Sequence, residues 1–137
     1  MKHKQTRRLF ALLLVFALII GLLPSVLADS TGRPGKFLSL HFANNIWKQN
    51  IAEVMGHPGT DPQAYEAVAE FAGSMGMIPM KLKKEKAGYI LNSMLVPFLM
   101  SAQELLADGI ADVETIDKTW MLSTGAPFGP FRILDIV

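Results

Sequence analysis

No cysteine occurs anywhere in the 137 residues. That excludes disulfides, thiolate metal sites and cysteine nucleophiles together. It fits a reducing compartment, yet cysteine-free exported proteins are common, so the compartment stays open on this ground. No Gly-x-Gly-x-x-Gly is present either, because Gly32 and Gly35 do not make one. The strand–turn–helix unit that seats a dinucleotide pyrophosphate on a helix N-terminus is therefore not written in this sequence. No internal repeat or low-complexity tract is present. With only His3, His41 and His57, the first of them in a basic leader, no metal site is indicated. Positive surplus is lacking too. The formal charge of +1 hides a leader, residues 1–28, with four bases and no acid, and a remainder whose net charge is −3. That balance leaves no footprint for nucleic acid.

What is present begins with apolar mass. Half the residues are hydrophobic, enough to form the core of one small domain. Met1–Arg8 is basic, Leu9–Ala28 carries no charge, and Val26-Leu-Ala28 precedes Asp29. Those features meet the rules for a secretory signal peptide. A single anchor is the variant reading, since the uncharged run reaches about the 20 residues that span a bilayer, although Pro24 interrupts it. Association with a membrane is expected only if this leader is genuine.

Beyond the leader, Asp29–Gly35 reads as a loop dense in turn residues. Phe37–Phe42 alternates in hydropathy and predicts a strand ending near His41, and Asn50–Met55 predicts a second, weaker strand carrying Glu53. Gly56–Thr60 is a loop in which His57 is expected to be solvated. Thr60-Asp61-Pro62 opens a helix to about Met75, with Ala64, Val68, Phe71, Ala72 and Met75 on one stripe. Met77–Leu82 predicts a short strand, and Lys81–Lys86 a charged joint. Everything past Gly88 reads as helical: Tyr89–Ala107 with Pro97 inside, a helix capped by Asp112 to about Leu122, and a third from Phe131. Gly125–Pro130 is a turn cluster between the last two.

His41 and Glu53 stand twelve residues apart on consecutive expected strands. A carboxylate that bonds an imidazole fixes its tautomer and its orientation, which makes a usable general base. The plain alternative is a core histidine satisfied by a neighbour. The surrounding segments bear on the choice. His41-Phe-Ala-Asn44, then Glu53, then Glu85-Lys-Ala-Gly-Tyr-Ile-Leu-Asn92, then Gly125-Ala-Pro-Phe-Gly-Pro-Phe131 follow one another in order. Together they resemble the NAD-dependent 3-hydroxyacyl-CoA dehydrogenases, most of all the bacterial branch acting on short acyl chains. The resemblance runs from about Leu22 to Val137. Two positions depart from it: Asn45 stands where many members have proline, and Ser93 where many have arginine.

The resemblance implies an α/β part followed by an all-α part. These are the C-terminal portion of a Rossmann-type NAD-binding domain, residues 22–85, and the beginning of a helical domain, residues 86–137. Residues 1–21 form a leader that does not match. It implies the oxidation of an (S)-3-hydroxyacyl-CoA to the 3-ketoacyl-CoA in fatty-acid metabolism, with NAD as cofactor and acyl-CoA as substrate. His41 would be the base, Glu53 its orienting carboxylate, and Asn44 and Asn92 the amides that hold substrate in register. It also implies a cytoplasmic location and, in a complete protein, a homodimer through the helical domain. In the family an asparagine and serines precede the matched segment, where this chain reads Leu18-Ile-Ile-Gly21. A replaced N-terminus, from a frameshift, a mis-assigned start or a fusion, is the expectation that accounts for the leader and for this break together. Without the glycine-rich turn the chain is expected to be inactive by itself. The competing expectation is an exported or membrane-anchored, non-enzymatic module that reuses dehydrogenase sequence. Lys81–Lys86 could grip CoA phosphates, but a charge run at a joint is more simply a solvated face.

Overall fold

The computed structural model describes residues 23–137, so all but the end of the uncharged run lies outside the described residues. The chain divides into two compact units, the first ending at Ile90 and the second spanning Leu91–Val137. A small sheet with helices comes first and a helical segment second, which is the α/β-then-α architecture expected from the sequence.

The first unit opens with a short helix, α1 (Pro24–Ala28), and two single 3-10 turns at Asp29–Thr31 and Pro34–Lys36. Among the described residues no helix is long and apolar enough to cross a membrane. The strands are β1 (Ser39–Phe42), β2 (Ile51–Met55) and β3 (Ile78–Lys81), in the order β1-β2-β3. β1 starts two residues later than the alternation suggested, because the Phe37 N–H closes the preceding turn onto the Pro34 carbonyl. β1 and β2 run antiparallel, β2 and β3 parallel. The parallel pair is joined by α2 (Pro62–Ser74), which packs on both strands and makes a βαβ unit.

β2 is the centre of this unit. Ala52, Glu53, Val54 and Met55 are all buried, so burial on both faces replaces the one-sided pattern of an edge strand. Withdrawing side chains such as Val54 and Met55 from water contributes about 1.5–3 kcal/mol each. α2 begins where Asp61 accepts from the Gln63 N–H, with proline at the first helical position. It buries Ala69 and Ala72, whereas Phe71 and Met75, expected on its buried stripe, are 56% and 47% exposed. The contact is made by the small residues, which bring a helix closest to a sheet. The Tyr65 hydroxyl meets the carbonyls of both Val54 and Leu82 at 2.9 Å, tying helix to sheet. Burial pushes its ionisation above the ordinary tyrosine range.

The second unit consists of α3 (Leu91–Ala107), α4 (Val113–Thr124) and α5 (Pro130–Leu134). α3 starts after Tyr89 rather than at it, because Gly88 and Tyr89 take φ of 81° and 53°, both left-handed. Asp112 caps α4 by accepting from the Thr115 N–H at 2.8 Å, and the Thr115 hydroxyl together with that N–H holds its carboxyl below the usual carboxylate range. Asp117 of α4 caps α5 from outside, accepting from the N–H groups of Phe131 and Arg132. A Cβ on Gly129 would lie 2.3 Å from the Asp117 carboxyl carbon, which explains the glycine in that turn. The ring of Phe98 on α3 lies 4.4 Å from that of Trp120 on α4, beside an apolar groove of about 500 Å³.

Candidate active site

The antiparallel register sets His41 directly opposite Glu53. Directly opposed side chains share one face of a sheet, and here the His41 Nδ1 lies 2.8 Å from the Glu53 Oε2. Glu53 is 1% exposed. Its other oxygen, Oε1, accepts from the backbone N–H of Ile90 at 2.8 Å. Hydrogen bonds to a charged group contribute about 1.5–3 kcal/mol each, and a carboxylate is tolerated in this interior because both oxygens are satisfied. An ionised carboxylate only accepts, so the shared proton sits on Nδ1 and the neutral ring carries its lone pair on Nε2. Nε2 makes no hydrogen bond among the described residues, and the His41 side chain is 26% exposed. The imidazole is anchored on one side and open on the other.

A residue not singled out from the sequence completes this arrangement. The Tyr89 ring stacks on the His41 ring, with centroids 4.3 Å apart and planes 12° from parallel. Tyr89 is buried with Met55 and Leu82, and Leu23 packs against them. Its backbone is left-handed, which in a bulky residue costs about 1–3 kcal/mol. The signal available in the sequence was Gly88-Tyr89 just before a helix, a glycine where a helix pattern should begin.

Two further residues were assigned to substrate by resemblance. Asn44 is exposed in the turn after β1, three residues beyond His41, and Asn92 is the second residue of α3, in the second unit. Asn45 takes φ of 57° in the same turn. Proline cannot reach that angle, so the exchange at this position accompanies a left-handed turn that asparagine tolerates. Lys81 pairs with Glu66 of α2, which raises the lysine's ionisation, while Lys83 and Lys84 are exposed.

His57 is held rather than solvated. Its Nε2–H donates to the Pro34 carbonyl at 2.9 Å, and its Nδ1 accepts from the Gly59 N–H at 3.1 Å. The Gly59 N–H is taken by His57, the His57 N–H by Thr60, and the start of α2 by the carboxylate of Asp61. These bonds fasten the Gly56–Asp61 loop and the start of α2. Among the described residues, no cluster of His, Asp and Glu is arranged to hold a metal ion.

Chemically, the site can take a proton from a hydroxyl group at the Nε2 of His41, or return one to a carbonyl, while Glu53 supports the imidazolium that forms.

Residues 20–86 match the family model for the NAD binding domain of 3-hydroxyacyl-CoA dehydrogenase, and residues 88–137 the model for its C-terminal domain. The human mitochondrial hydroxyacyl-coenzyme A dehydrogenase is 37% identical over 111 residues, which are 81% of this chain and 35% of that protein. The 3-hydroxybutyryl-CoA dehydrogenase of Clostridioides difficile is 31% identical over 81% of this chain and 39% of its own length. Among solved structures, a diketoreductase described for substrate-directed dual catalysis of dicarbonyl compounds is 65% identical, with a TM-score of 0.82. The match covers 84% of this chain and 41% of that one. The (S)-3-hydroxybutyryl-CoA dehydrogenase of Ralstonia eutropha is 28% identical with a TM-score of 0.75, over 80% and 38%. This chain thus spans little more than a third of the length of the curated relatives.

Proposed function

From the premise that the chain belongs to the 3-hydroxyacyl-CoA dehydrogenase family, we propose that it carries the acid–base half of a dehydrogenase site. Members of this family have an NAD-binding domain and act on acyl-CoA substrates. The reading rests on one observation above all, the 2.8 Å bond that joins His41 to buried Glu53. His41 is the base that accepts the proton of a 3-hydroxyl group at Nε2. Glu53 holds its tautomer and offsets its charge. Asn44 and Asn92 are the amides that orient the acyl-CoA. In a complete family member the reaction served would be the NAD-linked oxidation of an (S)-3-hydroxyacyl-CoA to the 3-ketoacyl-CoA in fatty-acid metabolism. Because no Gly-x-Gly-x-x-Gly occurs in the 137 residues, only the proton step is assigned to this chain, and these 137 residues are expected to give no turnover by themselves.

The test is a graft of residues 22–137 into a full-length 3-hydroxybutyryl-CoA dehydrogenase in place of the matching segment. The graft should form NADH from 3-hydroxybutyryl-CoA, and His41→Gln should lower kcat/KM by about 10²–10⁴-fold, the usual worth of a positioned acid–base group. A His41→Gln graft as active as its parent would remove the assignment. NADH formed by the unassisted chain, and abolished by His41→Gln, would refute the inactivity.

A second reading is favoured by the 65% identity to a diketoreductase. In it the same dyad works in reverse, giving the Nε2 proton of imidazolium to a carbonyl of a dicarbonyl substrate. Offering the graft a dicarbonyl compound with NADH, beside 3-hydroxybutyryl-CoA with NAD, discriminates the two by the ratio of kcat/KM. We place the chain in the cytoplasm; a cleaved N-terminus in the exported fraction of a tagged chain would instead favour the non-enzymatic module.

A further inference from the structure

We propose that Tyr89 is a positioning residue of the dyad, an inference that rests on the reading of His41 and Glu53 as an acid–base pair. Two contacts leave this one residue in different directions. Its ring lies flat on the imidazole, 4.3 Å away and 12° from parallel. Its left-handed backbone, φ of 53° after Gly88 at 81°, turns the chain so that the next N–H, that of Ile90, reaches the Glu53 Oε1. The ring therefore sets the plane of the base, and the turn fixes the carboxylate that holds it.

The segment has no freedom to do otherwise. The Lys86 N–H bonds the Met55 sulfur at 3.2 Å, and the Tyr89 N–H closes a turn onto the Lys86 carbonyl. Met55 and Glu53 point to the same face of β2 by strand alternation. The bonds to Met55 and Glu53 thus clamp residues 86–90 along one side of the strand that carries the carboxylate. Rotation of the imidazole about its Cβ–Cγ bond would break the cross-strand bond to Glu53, and the stacked ring adds a second restraint on that rotation. A bulky residue held at positive φ is uncommon, and such a conformation persists only where the surroundings over-determine it.

The experiment separates ring from turn with two substitutions in the full 137-residue chain labelled with 15N-histidine and 15N-amides. Tyr89→Gly deletes the ring while favouring the left-handed turn. Tyr89→Phe keeps both. The readouts are the Nδ1 and Nε2 shifts of His41, which report its tautomer, and the exchange protection of the Ile90 amide. In the parent chain, and in Tyr89→Phe, His41 should show one tautomer with the proton on Nδ1. In Tyr89→Gly the Ile90 amide should stay protected while the His41 signals move toward the averaged values of a mobile imidazole. A single unchanged tautomer in Tyr89→Gly overturns the positioning role and leaves the dyad standing. Averaged signals already present in the parent chain overturn the dyad reading, and this inference with it. Loss of Ile90 protection in Tyr89→Phe, where the turn should persist, counts against the linkage as well.

Discussion

Two histidines in the first unit, His41 and His57, have opposite surroundings, and the contrast shows what makes one of them chemical. His57 spends both ring nitrogens on backbone, donating from Nε2 to Pro34 and accepting at Nδ1 from Gly59. It is a loop fastener. His41 spends one nitrogen on a buried carboxylate and leaves the other without a hydrogen bond among the described residues. Residue type is the same in both places. The difference is that β2 carries an acid at a position buried from both sides, so the bond to His41 is to a charge that water does not dissipate.

The sharpest way to break the contrast is Glu53→Ala. It strands the Nδ1–H of His41 and the Ile90 N–H and opens a void in β2, and each donor left without a partner costs about 1–3 kcal/mol. Urea unfolding should register that loss as a lower midpoint, and a midpoint within error of the parent would mean that Glu53 is not the buried hub described here. Smaller effects are expected around the loop. Tyr65→Phe removes the hydroxyl shared by Val54 and Leu82 and should cost about 1 kcal/mol, the net value of a typical hydrogen bond. The same hydroxyl sets a pH dependence. Its ionisation is raised above 10.0 in the folded chain by burial, so its contribution is complete below that value and is lost as pH rises through the folded value. An alkaline melting series should show a shallower decline for Tyr65→Phe than for the parent. The smallest effect belongs to His57→Gln, which should loosen the Gly56–Thr60 loop at a cost of about 0.5–1.5 kcal/mol and leave the His41 spectrum unchanged. A shift at His41 would show that the two sites are coupled and that the contrast is misdrawn.

How far the sequence carried this picture depends on the length scale of each interaction. Caps were legible because they are local: Asp61 and Asp112 each bond an N–H within three residues. The pairing of His41 with Glu53 was suggested by its spacing and carried by the resemblance of the surrounding segments, because a twelve-residue separation does not by itself fix the register of two strands. The Tyr89 ring and the Ile90 N–H were not, because each reaches its partner across 37 residues or more of chain and depends on two successive left-handed residues. No periodicity encodes such a turn. The exposure of Phe71 and Met75 was missed for a related reason: a helical stripe identifies an apolar face but not which of its residues the sheet reaches. His57 was read as solvated because a Gly/Pro loop gives no hint that the Pro34 carbonyl, 23 residues earlier, lies within reach. The missing glycine-rich turn was a matter of sequence alone.

The central claim is that Glu53 holds the His41 ring with Nδ1 protonated and Nε2 presented as the base. Site-resolved 15N spectra of the unmodified chain, recorded where both histidines are neutral, test it most directly. The account requires the proton on Nδ1 of His41 and on Nε2 of His57, two opposite tautomers in one unit. A His41 protonated on Nε2, or one averaging between both forms, would contradict it.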